Sequence, residues 1–308
     1  MNRQIEHIAV IGAGIMGHGI AQEFAVAGHP VFLTDSSDAA LAKALTLIEA
    51  NLSDTDNRNE VLQRFSLTTS LSEAVATADY VVEAVPENLA LKQRIFAELD
   101  AFAPSHTILA SNTSSFMPSQ LAPSTKRPDR VLVTHYFNPP HVVPLVEVVR
   151  GPQTSDETVE TVRDLYSQTG KIPVVIQKER LGFIGNRLQN ALFREALSLV
   201  EQGVCSLEDV DTVMHTSIGR RWSVAGIFEI FDLAGLDTAF AVATQLFPDL
   251  SNATEPPQEW LQRVAAGDLG IKSGKGFYEW TPESGEEARR RIRTALKLTG
   301  KEIDVTDQ

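Results

Sequence analysis

The sequence contains a single cysteine, Cys205, among 308 residues, which excludes a disulfide framework. Positive charge is also scarce. There are 27 Lys and Arg against 40 Asp and Glu, a formal net charge of −13, which argues against nucleic acid or an anionic membrane surface as the main partner. No apolar run has the length of a transmembrane helix, and the N-terminus carries no signal-peptide pattern. These absences predict a cytoplasmic protein.

A glycine-rich turn lies close to the N-terminus. Residues 8–11 are apolar and mostly β-branched, which predicts a buried strand. The three glycines that follow permit a tight turn, leave room for a pyrophosphate and let a helix over residues 15–27 pack against the strand. The helix N-terminus would then attract the phosphate. The predicted phosphate-binding residues are Gly12, Gly14, Ile15, Met16 and Gly17.

A second β-rich run, residues 30–35, ends in a carboxylate. Asp35 lies 18 residues after Gly17, close to the spacing of the acid that holds the ribose hydroxyls of NAD. It would repel a 2′-phosphate, and no Lys or Arg follows before Lys43. We therefore expect NAD rather than NADP. The alternative is an ordinary βαβ unit with a solvated aspartate.

The organisation of the chain changes near residues 177–182. Before that point predicted strands alternate with helices, and after it only helical spacing of apolar residues continues. This pattern predicts an α/β class protein with a Rossmann-type, doubly wound, mostly parallel sheet and a smaller all-helical C-terminal domain. We expect the NAD-binding domain to comprise residues 1–179 and the helical domain residues 180–308.

Two reactive residues lie on neighbouring predicted strands. His135 ends the strand over residues 130–135, and Glu147 lies in the strand over residues 145–149. A neutral imidazole can take a proton from a hydroxyl while a hydride leaves the same carbon, and a carboxylate can fix its tautomer. A core histidine and an unrelated glutamate are an equal alternative from spacing alone. No metal is predicted, because His135 and His141 lack a third ligand at suitable spacing.

Seven segments resemble, in order, the motif blocks of the L-3-hydroxyacyl-CoA dehydrogenase family of fatty acid metabolism, which includes relatives that act on hydroxy acids without CoA. Together they extend over almost the whole chain. They are GAGIMG at 12–17, VEAVPEN at 82–88, SNTSS at 111–115, HYFNP at 135–139 with LVEV at 145–148, GFIGNR at 182–187, DLAGLD at 232–237 and KSGKGFY at 272–278.

The resemblance implies a role for each matching residue. His135 would be the catalytic base and Glu147 the acid that orients it. Ser114 would hydrogen-bond near the substrate hydroxyl and the nicotinamide, and Asn186 would position the substrate carbonyl. The residues implied to lie near the cofactor are Glu87, Lys92, Asn112, Ser114, Asn138 and Lys272. Taken singly, these are also ordinary turn, helix-start or solvated surface residues.

The implied reaction is NAD-dependent oxidation of an L-3-hydroxyl to a 3-keto group, with a 3-hydroxyacyl-CoA such as 3-hydroxybutyryl-CoA as the first expected substrate. The implied assembly is a homodimer formed through the C-terminal domain. A dehydrogenase of a free small hydroxy acid or alcohol, similar to those for carnitine, gulonate or pyridine alcohols, is the alternative. A non-catalytic NAD-binding protein is a remote third possibility.

The chain departs from the family pattern at three places that bear on the substrate. One is NPPH at 138–141, which replaces the more usual Asn-Pro-x-Pro; a loop histidine is the favoured interpretation of His141, and contact with the substrate is the alternative. The segment between the second and third strands, which helps hold CoA in the family, is short. Its tip, residues 54–60, is acidic with only Arg58 to meet phosphates. A block with two arginines and a tryptophan replaces the family's usual aromatic block, and an arginine fork can bind a carboxylate. The predicted substrate-binding residues are therefore Arg220, Arg221 and Trp222.

Overall fold

The computed structural model describes residues 5–53 and 55–299. Asp54, the first residue of the acidic tip, lies outside them. The chain forms two compact units that divide between Asn186 and Arg187. No described helix is both long and apolar enough to cross a membrane.

The first unit is built on one eight-stranded sheet. Its strands are β1 (Ile8–Ile11), β2 (Val31–Thr34), β3 (Phe65–Thr68), β4 (Tyr80–Glu83), β5 (Ile108–Ser111), β6 (Val131–Tyr136), β7 (Leu145–Arg150) and β8 (Ile172–Ile176). Their order across the sheet is β3-β2-β1-β4-β5-β6-β7-β8. Neighbours are parallel except for β6 and β7, which are antiparallel. The predicted Rossmann-type, mostly parallel sheet is confirmed.

Helices pack on both faces of this sheet. They are α1 (Gly17–Val26), α2 (Asp38–Asn51), α3 (Arg58–Leu62), α4 (Leu71–Val75), α5 (Leu89–Phe102), α6 (Pro118–Leu121) and α7 (Asp156–Gln168). Alternate residues of β1 enter different cores, with Ile8 and Val10 in one and Ala9 and Ile11 in the other. Burial on both faces explains why the strands are almost continuously apolar.

The second unit is helical, as predicted. It contains α8 (Gly185–Glu201), which begins in the first unit, then α9 (Leu207–Val213), α10 (Gly219–Trp222), α11 (Ile227–Ala234), α12 (Leu236–Leu246), α13 (Gln258–Ala265) and α14 (Pro282–Thr299). A π-helical turn, Met214–Ile218, joins α9 to α10. Gly235, at φ 88°, separates α11 from α12 within the DLAGLD segment, residues 232–237. The short helix α13 was not anticipated from the sequence.

Candidate active site

The glycine turn between β1 and α1 has the geometry that a pyrophosphate requires. Gly12 has a φ of +102°, and a Cβ there would lie 2.7 Å from the Ala84 carbonyl oxygen. A Cβ on Gly17 would lie 1.7 Å from the Gly12 carbonyl oxygen, so α1 can approach the turn only with glycine at this position. Gly14 has open space around its Cβ position. The space at Gly14 suits the close approach of a phosphate to the backbone.

Asp35 lies directly after β2 and holds the turn in place. Its Oδ2 atom accepts a hydrogen bond from the amide of Ala13 at 2.9 Å, and Oδ1 accepts one from the amide of Ser37 at 3.1 Å. Ser37 in turn caps α2, because its hydroxyl accepts a bond from the amide of Ala40. The carboxylate is half-buried and faces the groove described next.

A groove of about 830 Å³ runs past the glycine turn and the carboxyl ends of β2, β4 and β5. This volume is in the range of sites for cofactors and other small ligands. Of the predicted cofactor residues, the structure places on its wall Gly12, Gly14, Ile15, Met16, Asp35, Glu87, Lys92, Asn112 and Ser114. The open backbone at Gly14 and the acid at the end of β2 fit a dinucleotide with free ribose hydroxyls.

Lys92 is buried rather than solvated, with 1% of its side chain exposed. Its ammonium lies 2.8 Å from Glu83 Oε1, 3.2 Å from the Val85 carbonyl oxygen and 3.2 Å from Glu87 Oε2. Glu83, which is fully buried, also accepts a hydrogen bond from the hydroxyl of Ser111. The ammonium therefore joins β4 to the loop that carries Ser114.

Glu87 organises that loop, residues 111–115. Its Oε1 atom accepts bonds from the Thr113 hydroxyl and from the amides of Ser114 and Ser115, the last two at 3.2 and 3.1 Å. Burial raises the pKa of Glu87, but the hydrogen bond from Thr113 and the charge of Lys92 outweigh burial and lower the pKa below 4.5. The Ser114 side chain is left exposed on the groove wall.

His135 and Glu147 form a buried pair on β6 and β7. The His135 Nδ1 atom lies 2.8 Å from Glu147 Oε2, and the two residues are 4% and 1% exposed. Because a carboxylate can only accept, this bond assigns the imidazole proton to Nδ1 and leaves Nε2 as an acceptor. The rings of Phe137 and Phe183 flank the imidazole at centroid distances of 4.8 and 5.4 Å.

The second oxygen of Glu147 binds the start of α8. Oε1 accepts bonds from the amides of Ile184 at 2.9 Å and Gly185 at 2.8 Å. Burial raises the pKa of Glu147, but the bonds from His135 and from these two amides outweigh it and lower the pKa below 4.5. Asn186 is the next residue of α8, so the carboxylate ties this helix start to the histidine.

Asn112 connects the serine loop to the histidine strand. Its side-chain Oδ1 accepts a hydrogen bond from the backbone amide of Tyr136 at 3.0 Å, and its own backbone amide donates one to the Glu83 carbonyl oxygen at 2.7 Å. The loop of Ser114, the strand of His135 and the helix start at Asn186 are therefore linked by direct hydrogen bonds within the first unit. Asn138 is exposed in the loop that follows β6.

The remaining predicted residues belong to the second unit. Arg220 and Arg221 are exposed on α10, and Trp222 is half-buried at its end. Lys272 is exposed in the glycine-rich loop between α13 and α14. Their roles in binding remain predictions. Across residues 5–53 and 55–299 no group of three His, Cys, Asp or Glu side chains could hold a metal ion.

Sequence patterns gave no signal for three buried charged residues. Glu83 lies within a strand motif, Glu23 lies on α1, and Lys171 immediately precedes β8. Each is at most 9% exposed. Charged residues are ordinarily solvated, so none of the three was expected to be buried. Glu23 and Lys171 are partners of each other and lie far apart in the sequence, so no local spacing indicated their burial.

A dinucleotide groove together with a buried histidine–carboxylate pair is the arrangement of a dinucleotide-dependent dehydrogenase. Residues 7–180 match the NAD binding domain of 3-hydroxyacyl-CoA dehydrogenase, and residues 182–280 match the C-terminal domain of the same enzymes. The chain belongs to the 3-hydroxyacyl-CoA dehydrogenase family. It is an NAD-dependent oxidoreductase, as predicted.

Two curated relatives are named for different substrates. The chain is 36% identical to the 5-formyl-3-hydroxy-2-methylpyridine 4-carboxylate 5-dehydrogenase of Mesorhizobium japonicum, over 97% of this chain and 100% of the relative. It is 39% identical to the human mitochondrial hydroxyacyl-coenzyme A dehydrogenase, over 90% of this chain and 91% of the relative. The family thus includes close relatives named for CoA and for non-CoA substrates.

A solved structure is similar over nearly the whole chain. The crystal structure of a 5-formyl-3-hydroxy-2-methylpyridine 4-carboxylic acid 5-dehydrogenase, described as an NAD+-dependent dismutase, has a TM-score of 0.91 and 36% identity. The match covers 96% of this chain and 97% of that one. The structure of the 3-hydroxybutyryl-CoA dehydrogenase PaaH1 from Ralstonia eutropha has a TM-score of 0.76 and 35% identity, covering 90% of this chain and 100% of that one.

Proposed function

We propose that the chain oxidises a hydroxyl-bearing carbon of a small free carboxylic acid with NAD+, and that His135 is the general base. The buried hydrogen bond between His135 and Glu147 carries the assignment of the base. It holds the imidazole in the tautomer whose Nε2 atom can accept a proton, in a site closed by two phenylalanine rings.

In this mechanism the Nε2 atom of His135 takes the proton of the substrate hydroxyl and the ring becomes an imidazolium. Glu147, 2.8 Å from Nδ1, stabilises that positive charge. A bound NAD+, held by the glycine turn and Asp35, would supply the hydride acceptor for the same carbon, which becomes a carbonyl. In the reverse direction the imidazolium returns the proton. The hydroxyl of Ser114 and the amide of Asn186 would hold the reacting oxygen.

A free acid is favoured over a CoA thioester by the segment between α2 and β3. CoA carries several phosphate charges that cationic side chains must meet. The segment has two cations, and both already face glutamates. Arg58 lies 3.6 Å from Glu49, and Arg64 is paired with Glu60. The relative whose name specifies a pyridine carboxylate, which matches 97% of the chain, supports the same substrate class.

The second candidate is an L-3-hydroxyacyl-CoA such as 3-hydroxybutyryl-CoA. It is favoured by the 39% identity to the human hydroxyacyl-coenzyme A dehydrogenase, over 90% of the chain. Both candidates use the same histidine, glutamate and cofactor. They differ in the group beyond the reacting carbon, which is a free carboxylate in one candidate and a CoA thioester in the other.

A substrate panel separates the candidates. With NAD+ and purified protein, kcat/KM is measured for 3-hydroxybutyryl-CoA, free 3-hydroxybutyrate, carnitine and a hydroxymethyl pyridine carboxylate. We expect at least one free acid to exceed the thioester by roughly 100-fold, a ratio that a dedicated polar contact can supply. A thioester that is the best substrate would reject the free-acid proposal. Unchanged turnover by His135→Ala would reject the proposed base.

We also infer that two copies of the chain associate through the second unit. Among its described helices, α8 to α13 contain no buried side chain, while Phe228, Phe240 and Phe247 are 87%, 74% and 72% exposed. Exposed apolar residues in such number mark an interaction surface. Light scattering on the wild type should give twice the chain mass, and Phe240→Glu should shift the mass toward a single chain. A wild-type monomer at micromolar concentration would contradict this inference.

A further inference from the structure

One buried ammonium group holds the loop between His135 and Glu147. Lys171 Nζ donates to the carbonyl oxygens of Pro140 at 2.6 Å and Val143 at 2.8 Å. Its side chain is 6% exposed, although lysine is rarely buried without partners. Both acceptors belong to residues 137–144, which we call the β6–β7 loop. Lys171 itself precedes β8, the strand beside β7.

The third partner of the ammonium is on α1. Glu23 Oε2 lies 2.7 Å from Lys171 Nζ, and the glutamate side chain is 8% exposed. The same helix touches the loop again one turn earlier, because a Cβ on Gly19 would lie 2.6 Å from Pro140 Cγ. Since α1 begins at Gly17, the ammonium joins the β6–β7 loop to the helix of the cofactor turn.

The β6–β7 loop forms one side of the histidine site. Phe137, its first residue, packs on the His135 ring and also meets the start of α8, where a Cβ on Gly185 would lie 2.4 Å from Phe137 Cζ. Within the loop, the amides of Val142 and Val143 both donate to the Pro139 carbonyl at 3.0 Å. A shift of the loop would therefore move groups that contact the base.

We propose that Lys171 is a positioning residue, which fixes the β6–β7 loop against α1 so that the cofactor turn and the wall of the histidine site keep one relative placement. The inference rests on the proposed function, because it assigns His135 as the base. An ion pair that served stability alone would need only Glu23 as its partner, whereas both hydrogen bonds of this ammonium go to loop carbonyls.

The ammonium is protonated when it makes these bonds. Burial lowers the pKa of Lys171 to about 8, so at neutral pH the group keeps its positive charge and the hydrogens that it donates to the two loop carbonyls. Glu23 supplies the opposite charge that a buried ammonium requires. Tyr136, whose ring centroid lies 5.9 Å from Nζ, packs on the same group.

The test uses variants that keep the protein folded. Lys171→Met alone would leave Glu23 as an unpaired buried carboxylate, whereas replacing both partners by apolar residues of similar size is often neutral. We therefore compare the wild type with Lys171→Met/Glu23→Met, and use the exposed Lys126→Met as the matched control. Thermal unfolding confirms that each variant is folded.

Two quantities are measured in the folded variants: amide hydrogen exchange and kcat. Hydrogen exchange of the Val142 and Val143 amides should accelerate at least tenfold in the double variant. The kcat on the best panel substrate should fall roughly tenfold or more, as expected when a reacting group is misplaced. Lys126→Met should match the wild type in both. Exchange at the wild-type rate in the folded double variant would overturn the inference, and so would faster exchange with unchanged kcat.

Failure of the proposed function can be distinguished from failure of the inference about Lys171. If the wild type turned over no substrate of the panel, the proposed substrate class would fail and kcat could not be compared. The exchange rates of Val142 and Val143, together with the NAD+ dissociation constant, would still decide the structural part. An unchanged dissociation constant and unchanged exchange in the double variant would overturn the link between the loop and α1.

Discussion

Glu147 lies directly opposite His135 in the register of the antiparallel strands β6 and β7. Directly opposed residues project from the same face of a sheet, so the main-chain ladder itself brings the carboxylate to the imidazole, at 2.8 Å. The other carboxylate oxygen receives two amides from the start of α8. The base is thus oriented by the sheet rather than by a mobile loop.

Removing the imidazole should abolish the chemical step and spare cofactor binding. For His135→Asn we expect kcat to fall about 10³-fold, within the range that a general base contributes. The NAD+ affinity should stay within about twofold, because His135 does not line the groove. Steady-state kinetics and NADH fluorescence titration measure the two effects. Turnover near the wild-type rate would exclude His135 as the base.

Replacing the carboxylate should act through the histidine. In Glu147→Gln the amide can donate to Nδ1 and favour the wrong tautomer, so we expect kcat to fall about 10²- to 10⁴-fold. A larger deuterium isotope effect on kcat should accompany the loss, since hydride and proton transfer then limit the rate. Glu160→Gln, an exposed change on α7, is the control and should leave both quantities unchanged.

The same pair predicts how stability depends on pH. The folded-state pKa of Glu147 lies below 4.5, because hydrogen bonds from His135 and two amides outweigh the effect of burial. A lowered folded pKa stabilises the protein above the unfolded value, and this stabilisation is lost as pH falls through the folded pKa. The difference in free energy of unfolding between wild type and Glu147→Gln should therefore shrink from about pH 6 to about pH 3. Urea unfolding at several pH values measures it, and a constant difference would contradict the prediction.

Two glycines of the cofactor turn should respond differently to alanine. Gly14 has open space at its Cβ position, so Gly14→Ala should leave the melting temperature unchanged while weakening NAD+ binding about tenfold. A Cβ on Gly17 would lie 1.7 Å from a backbone oxygen, so Gly17→Ala should cost about 3 kcal/mol of stability. Calorimetry with and without NAD+ separates the two effects. Equal loss of stability in both variants would contradict this assignment of the glycines.

Much of the first unit was predictable because its local signals agree. The apolar residues over 89–102 recur at helical spacing, and helix α5 occupies that range, capped by Asn88, whose side chain accepts a hydrogen bond from the amide of Leu91. The connection between the strands of His135 and Glu147 is short and contains Pro139, Pro140 and Pro144, which favours their being neighbours in the sheet. Their antiparallel register, which sets the distance, required the structure.

Other features had no local signal. Glu23 and Lys171 lie far apart in the chain, and each by itself has the pattern of a solvated residue. Lys92 was equally compatible with a surface lysine, but two glutamates and a carbonyl enclose it. The ion pair between Glu23 and Lys171 forms only in the completed sheet, so sequence spacing cannot indicate it.

The division between Asn186 and Arg187 has a consequence for engineering and for divergence within the family. His135, Glu147, Ser114 and Asn186 all precede that point, whereas Arg220 to Trp222 follow it. A crossover between two relatives at this peptide bond would exchange the whole predicted substrate segment and leave the base, its carboxylate and the cofactor turn in one inherited piece. Chimeras joined there would test whether the predicted substrate segment changes substrate preference, while the proton-transfer residues and the segment between α2 and β3 stay unchanged.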